Sequence, residues 1–188
     1  MRLSPQFEKA LIYATRIHGG KLRKKTRIPY IGHLLGVTAI ALEYGANETE
    51  AIAALLHDAV EDCGGVKRLR DIERKFGRKV ARIVKGCTDT DQTPKPPWRK
   101  RKENYIAHLK QASASTRLVS AADKLHNARA ILHHLRQEQD SLWPRFNGGK
   151  EGALWYYRSL VSAFREHGSN ALIEELDRVV TEIEELAK

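Results

Sequence analysis

The chain has 188 residues, 41% hydrophobic and 30% charged, with 33 Lys and Arg against 23 Asp and Glu for a formal charge of +10. That length suits one domain with one good core and excludes a large enzyme with several active sites. The longest purely aliphatic stretch is Ala51 to Leu56, far short of the about 20 residues a membrane helix needs, and two cysteines, Cys63 and Cys87, can neither frame a disulfide scaffold nor alone complete a structural zinc site.

Helical spacing recurs along the chain, and no sustained alternation of Val, Ile and Thr marks a strand, so an all-α fold of about eight to ten helices is expected. The first helix is expected over 5–18, stopped by Gly19-Gly20. Its apolar patch is flanked by Glu8, Lys9 and Arg16, so no signal-peptide core is expected and a reduced, cytoplasmic protein is the simplest reading. A basic loop runs through Pro29. A second helix starts near Ile31 and ends at Tyr44-Gly45. Asn47 with Glu50 three residues on forms a capping-box pattern for a third.

That third helix, from Ala51 to Asp62, is apolar on nearly every side until His57 and is expected to be central and buried. Cys63-Gly64-Gly65 ends it. Shorter helices are expected over about 66–76 and 78–86, separated by Gly77. Three prolines make residues 88–97 a loop, and helix resumes at about 98–111. Leu118 to Leu135 keeps one face apolar through Leu125, Ala128 and Leu132. Asn147-Gly148-Gly149 is a turn, and helices follow over about 150–167 and 170–186. From Asn170 onward six acids face two bases, so that tail is −4 and residues 1–169 carry +14. This acidic helix suits an oligomer contact or packing on the basic body.

His57-Asp58 followed by Glu61-Asp62 places four metal-capable groups at the end of an apolar helix, where residues four apart share a face. A buried carboxylate without a partner is costly, and a metal ion removes that cost. His33, at the start of the second helix, and Asp123, flanked by alanines on an apolar helix with Asn127 four residues on, supply compatible groups. Two imidazoles and two carboxylates suit a divalent transition metal.

His33, then His57-Asp58, then Asp123 is the spaced pattern of the HD-domain phosphohydrolases, which the chain resembles. Arg23-Lys24 before Pro29-Tyr30-Ile31, Leu55 to Asp62, and Ala122 to Asn127 further resemble the hydrolase domain of the RelA/SpoT family. The resemblance covers roughly 5–165 within a single domain of 1–188, with no room for a synthetase half, as in the stand-alone small alarmone hydrolases, the class of the metazoan SpoT homologue. It implies an HD-type helical bundle that removes the 3′-pyrophosphate of (p)ppGpp-type alarmones. It also implies one metal, manganese first and iron, cobalt or zinc as alternatives, on His33, His57, Asp58 and Asp123. Glu61 and Asp62 would position and deprotonate the attacking water. Arg23, Lys24, Lys95, Asn127 and Tyr156 would meet the nucleotide.

The 23–29 loop is one residue longer than the commonest spacing, so the first two of those roles fall to Arg23-Lys24 or to Lys24-Lys25. Leu34 after His33, the Pro-rich 94–97 loop and Trp98 also depart from the bifunctional enzymes, and these departures bear on guanine against adenine. A (p)ppApp-selective hydrolase, a phosphatase of NADPH or another nucleotide, and a basic nucleotide- or nucleic-acid-binding module are the alternatives. The expected partner is a small nucleotide, with no membrane and no nucleic acid.

Overall fold

The computed structural model describes every residue of the chain except Met1, Lys25, Asp91 and Thr93. Among the described residues there are ten α-helices, one 3-10 helix and a single isolated bridge between Leu22 and Pro29, which bears out the all-α expectation. Lys25, one of the two alternatives in the basic loop, lies outside the described residues. The helices fall into two units, residues 1–95 with 113–122, and residues 96–112 with 123–188.

In the first unit α1 (Pro5–Ile17) starts at Ser4, whose hydroxyl accepts from the Gln6 N–H at 3.1 Å, with Pro5 at the first helical position. Proline is favoured there because its missing N–H would be unbonded anyway. α2 (Ile31–Glu43) and α3 (Glu48–Leu56) follow. The capping box of α3 is present: the Asn47 side chain accepts from the Glu50 N–H at 3.1 Å, and the Glu50 carboxylate accepts from the Asn47 N–H at 2.8 Å. Every residue of 51–56 is buried, so α3 is the central rod, packed on α1, α2 and α6. Removing its cap with Asn47→Ala costs about 1 kcal/mol. Equilibrium denaturation reads this as a lower midpoint, and Asn47→Gly, which keeps the cap's backbone freedom, loses only a few tenths.

The single helix expected from Ala51 to Asp62 is in fact two. α3 stops at Leu56, His57 and Asp58 form a turn, and α4 (Ala59–Asp62) adds one more helical turn. The cause is local. The His57 ring approaches the Ala54 carbonyl through Nδ1 at 2.8 Å, and that carbonyl is the acceptor the Asp58 N–H would use in a continuous helix. Asp58 sits at φ −92°, ψ −3°, in the sparsely populated bridge region where active-site residues recur. The metal-capable groups are therefore displayed from a turn rather than along one helical face. Gly64, at φ +122°, then turns the chain into α5 (Gly65–Phe76), a conformation that side chains rarely adopt. α6 (Arg78–Cys87) packs against α5.

α8 (Ala114–Glu138) is longer than the expected 118–135 and contributes its first residues to one unit and the rest to the other. Its start is fixed by Ser113, whose hydroxyl accepts from the Thr116 N–H at 3.1 Å. In the second unit α9 (Gly149–Arg165) packs on α7 (Trp98–Leu109), on the 3-10 helix Gln139–Arg145 and on α10 (Ala171–Leu186). Trp98 lies against Gly148, where an added Cβ would come within 2.6 Å of the indole. Glycine here is a packing requirement. The acidic α10 packs on the body of its own unit. Its apolar side, including Leu172, Leu176 and Val180, is buried. Its carboxylates Asp177 and Glu184 hold Arg158, Glu175 holds Arg129, and Glu174 holds Arg165. Among the described residues no helix is long and apolar enough to cross a membrane.

Candidate active site

The third residue of α2, the C-cap of α3 and the turn before α4 converge in the first unit. One ligand atom from each of His33, His57 and Asp58 lies within 4.8 Å of the others. Both imidazoles are buried, at 3% and 2% exposure. His57 Nδ1–H donates to the Ala54 carbonyl, which leaves the ring's lone pair on Nε2. That Nε2 is 3.0 Å from Asp58 Oδ2, and His33 Nε2 is 3.4 Å from the same oxygen. Lone pairs brought this close repel unless a proton or a cation lies among them. The donor set, two imidazole nitrogens and a carboxylate oxygen, suits a divalent transition metal, so the residues present fit one.

Tyr30 has no assigned role in the sequence pattern, yet its hydroxyl donates to Asp58 Oδ2 at 2.5 Å. A charge-assisted bond of this kind orients a ligating carboxylate. His18 stacks on Tyr30, with ring centroids 5.2 Å apart and planes 10° from parallel. Burial, and then the Lys21 charge, push His18 down to about 4, so it is neutral at pH 7 and serves as a flat wall behind the tyrosine. The signal for Tyr30 was its position three residues before His33, which puts both on one side of the opening turn of α2. Tyr30→Phe is expected to lower divalent-metal affinity about 10- to 100-fold, read by competition against a metal indicator. An unchanged affinity would remove Tyr30 from the site.

Glu61 and Asp62 follow on α4. Glu61 accepts from Lys95 Nζ at 2.6 Å, so the Pro-rich loop delivers its lysine to this carboxylate. Asp62 is an exposed residue whose side chain keeps 33% of its accessible surface. Burial pushes its carboxyl above the ordinary range, the Asp58 charge adds to this, Lys21 draws it back, Glu61 adds again, and Lys95 opposes. Lys21 Nζ reaches the Asp62 carbonyl at 2.5 Å and lies 3.9 Å from Asp62 Oδ2. A carboxylate raised towards neutrality is a better acceptor for a proton from water. Lys21 was legible only as one base in a basic run.

The remaining predicted residues divide between the units. Arg23 and Lys24 lie in the first, in the loop that the Arg23 N–H to Ile28 carbonyl bond closes at 2.9 Å. Asp123, Asn127 and Tyr156 lie in the second, and Asp123 is not among the three clustered groups. The buried Asp123 carboxylate accepts from Lys124 Nζ on Oδ2 and from Asn127 Nδ2 on Oδ1, each at 2.6 Å. Burial alone would lower the Lys124 pKa, but Asp123, with Tyr156 and Tyr105 behind it, holds the ammonium well above an ordinary lysine. Tyr156 is buried on α9, edge-on to Trp98 at 6.3 Å, with Lys102 Nζ 4.8 Å from its ring centroid.

Comparison with known proteins points the same way as this geometry. A family model described as HD domain matches residues 10–153. Guanosine-3′,5′-bis(diphosphate) 3′-pyrophosphohydrolase MESH1 of Danio rerio is 42% identical over 105 residues, 55% of this chain and 56% of that protein. The Homo sapiens protein of the same name is 38% identical over 130 residues, covering 67% of this chain and 69% of its own length. The chain thus spans between about half and two thirds of the length of these relatives. A solved structure described as a metazoan ortholog of SpoT that hydrolyzes ppGpp superposes with a TM-score of 0.78 at 28% identity, covering 95% of this chain and 96% of the other. The structure of lmo0812 from Listeria monocytogenes gives 0.70 at 29% identity, over 79% and 96% of the two chains.

Proposed function

The chain belongs to the HD-domain family, and from that premise we propose that it is a metal-dependent hydrolase of the 3′-pyrophosphate of (p)ppGpp-type alarmones. The observation that carries this reading is the His33–His57–Asp58 cluster with two carboxylates, Glu61 and Asp62, on the adjoining turn. The relatives named as 3′-pyrophosphohydrolases support the substrate class. The HD match from 10 to 153 runs through residues of both units, which supports reading the chain as one catalytic domain. Thiols at Cys63 and Cys87 that are not joined in a disulfide suit a reducing, cytoplasmic compartment.

His33, His57 and Asp58 would hold the metal, and the family pattern supplies Asp123 as the fourth ligand. Manganese is the expected ion. The chemistry supplied by a divalent metal bound there is Lewis acidity towards a phosphoryl oxygen and towards water. Asp62, with Glu61 beside it, orients the attacking water and takes its proton. The water oxygen bonds to the phosphorus attached to the ribose 3′ oxygen, and the bond between them breaks. Pyrophosphate leaves, and the 3′ oxygen takes up a proton to become the hydroxyl of a 5′-nucleotide. Lys95 holds Glu61 in place and, with Arg23 and Lys24, offers charge to the phosphates. Asn127 and Tyr156 are assigned to the nucleoside.

The test is turnover of ppGpp, ppApp and NADPH side by side, with added Mn²⁺ and with chelator. Metal-dependent pyrophosphate release from ppGpp is expected. Faster release from ppApp would reverse the base preference. Orthophosphate from NADPH, with both alarmones untouched, would overturn the substrate class.

A further inference from the structure

One pair of helices carries a large share of the chain's basic charge. Residues 65–87, which form α5 and α6, contain nine bases against two acids, a net +7 in a chain whose total is +10. Both acids are already committed: Asp71 to Arg68, Arg74 and Lys75, and Glu73 to Arg78. Lys67 and Arg70 on α5, and Lys79, Arg82 and Lys85 on α6, are exposed and make no ion pair among the described residues. On α10, by contrast, the carboxylates hold Arg129, Arg158 and Arg165. Like charges three and four residues apart on a helix repel. A surface that gathers five of them without counter-charge is costly unless an anion meets it.

From this we propose that the exposed face of the α5–α6 pair docks on the phosphate backbone of a nucleic acid. On each helix neighbouring bases are three residues apart, so the charges recur about every 4.5 Å along the axis, a regular row rather than one cluster around a single anion. A membrane is the poorer fit. An interfacial helix inserts an apolar face, and here Ile72, Val80, Ile83 and Val84 are buried in the protein's own core, which leaves Val66 as a single exposed valine and no apolar face. The sequence expectation was that no nucleic acid binds. The pairing of α5 with α6, which brings these bases together, is not visible in residue order.

The experiment is fluorescence anisotropy of a labelled 20-base-pair duplex, as DNA and as RNA, against the full chain between 50 and 200 mM KCl. Five phosphate contacts give a slope of log K against log salt near about −4.5 on B-DNA, a loss of about 500-fold across that range. The triple variant Arg70→Gln, Lys79→Gln, Arg82→Gln is expected to reduce the slope by about 2.7. The control triple Arg2→Gln, Lys9→Gln, Lys188→Gln removes the same charge from other surfaces and is expected to keep the slope. Circular dichroism and alarmone turnover of both variants verify the fold. Absence of duplex binding at 50 mM, an α5–α6 triple that binds like the parent, an equal loss in the control, or binding only to anionic lipid vesicles would each overturn the proposal.

Discussion

Asp58→Ala is expected to leave a folded protein that neither retains a divalent metal nor turns over alarmone, with a rate at least about 10³-fold below the parent. The size follows from what Asp58 touches. One of its oxygens faces His33 Nε2, His57 Nε2 and the Tyr30 hydroxyl at 3.4, 3.0 and 2.5 Å. Taking it away leaves only the two imidazoles of the His33–His57–Asp58 cluster. A metal then loses its one anionic ligand of that set, and the several kcal/mol of charge stabilisation it supplies in the transition state go with it. The fold is expected to survive because the side chain is partly exposed and the turn it occupies is fixed by the His57 ring on Ala54. Elemental analysis after dialysis, beside thermal denaturation of the metal-free protein, separates the two effects. Metal content equal to the parent's would remove Asp58 from the site.

Asp62→Asn is expected to lower kcat by about 10²- to 10⁴-fold, the usual worth of a general base, while metal content is unchanged. The pH dependence carries the sign. A base works deprotonated, so the rate falls as pH drops through its pKa. Burial sets that pKa above the ordinary carboxylate range, so the acid limb of the kcat profile lies above about pH 4. In the Asn variant that limb is lost. Lys21 is the nearest cation and draws the Asp62 pKa down, so Lys21→Met should move the limb to higher pH. A limb that stays in place in Asp62→Asn would assign the proton to another group, with Glu61 the first to examine by Glu61→Gln.

Much of this arrangement could be read from residue order because local chemistry dictates it. Asn47 and Glu50 announce their capping box, Gly77 its break, and the three prolines of 94–97 their loop. His33, His57 and Asp58 were recognisable because few side chains serve a metal and their pattern is shared with a known family. What the order of residues hides is side-chain competition and tertiary pairing. The helix breaks at His57, where a ring nitrogen meets a backbone carbonyl, which periodicity does not register. Tyr30 and Lys21 reach their carboxylates only once α2 and α4 are packed, so a tyrosine in a Pro-Tyr-Ile run and a lysine in a basic run carry no label of their own. The acidic tail resolves in the same way. Its charge was plain, but its arginine partners on α8 and α9 are as many as 46 residues away.

In the proposed reaction, water activated at the cluster attacks the phosphorus that bears the ribose 3′ oxygen. This step is tested most directly by running ppGpp hydrolysis with the Mn²⁺-loaded protein in ¹⁸O-labelled water and weighing both products. Pyrophosphate carrying one labelled oxygen and an unlabelled nucleotide are expected. Label in the nucleotide, or labelled orthophosphate in place of pyrophosphate, would contradict it.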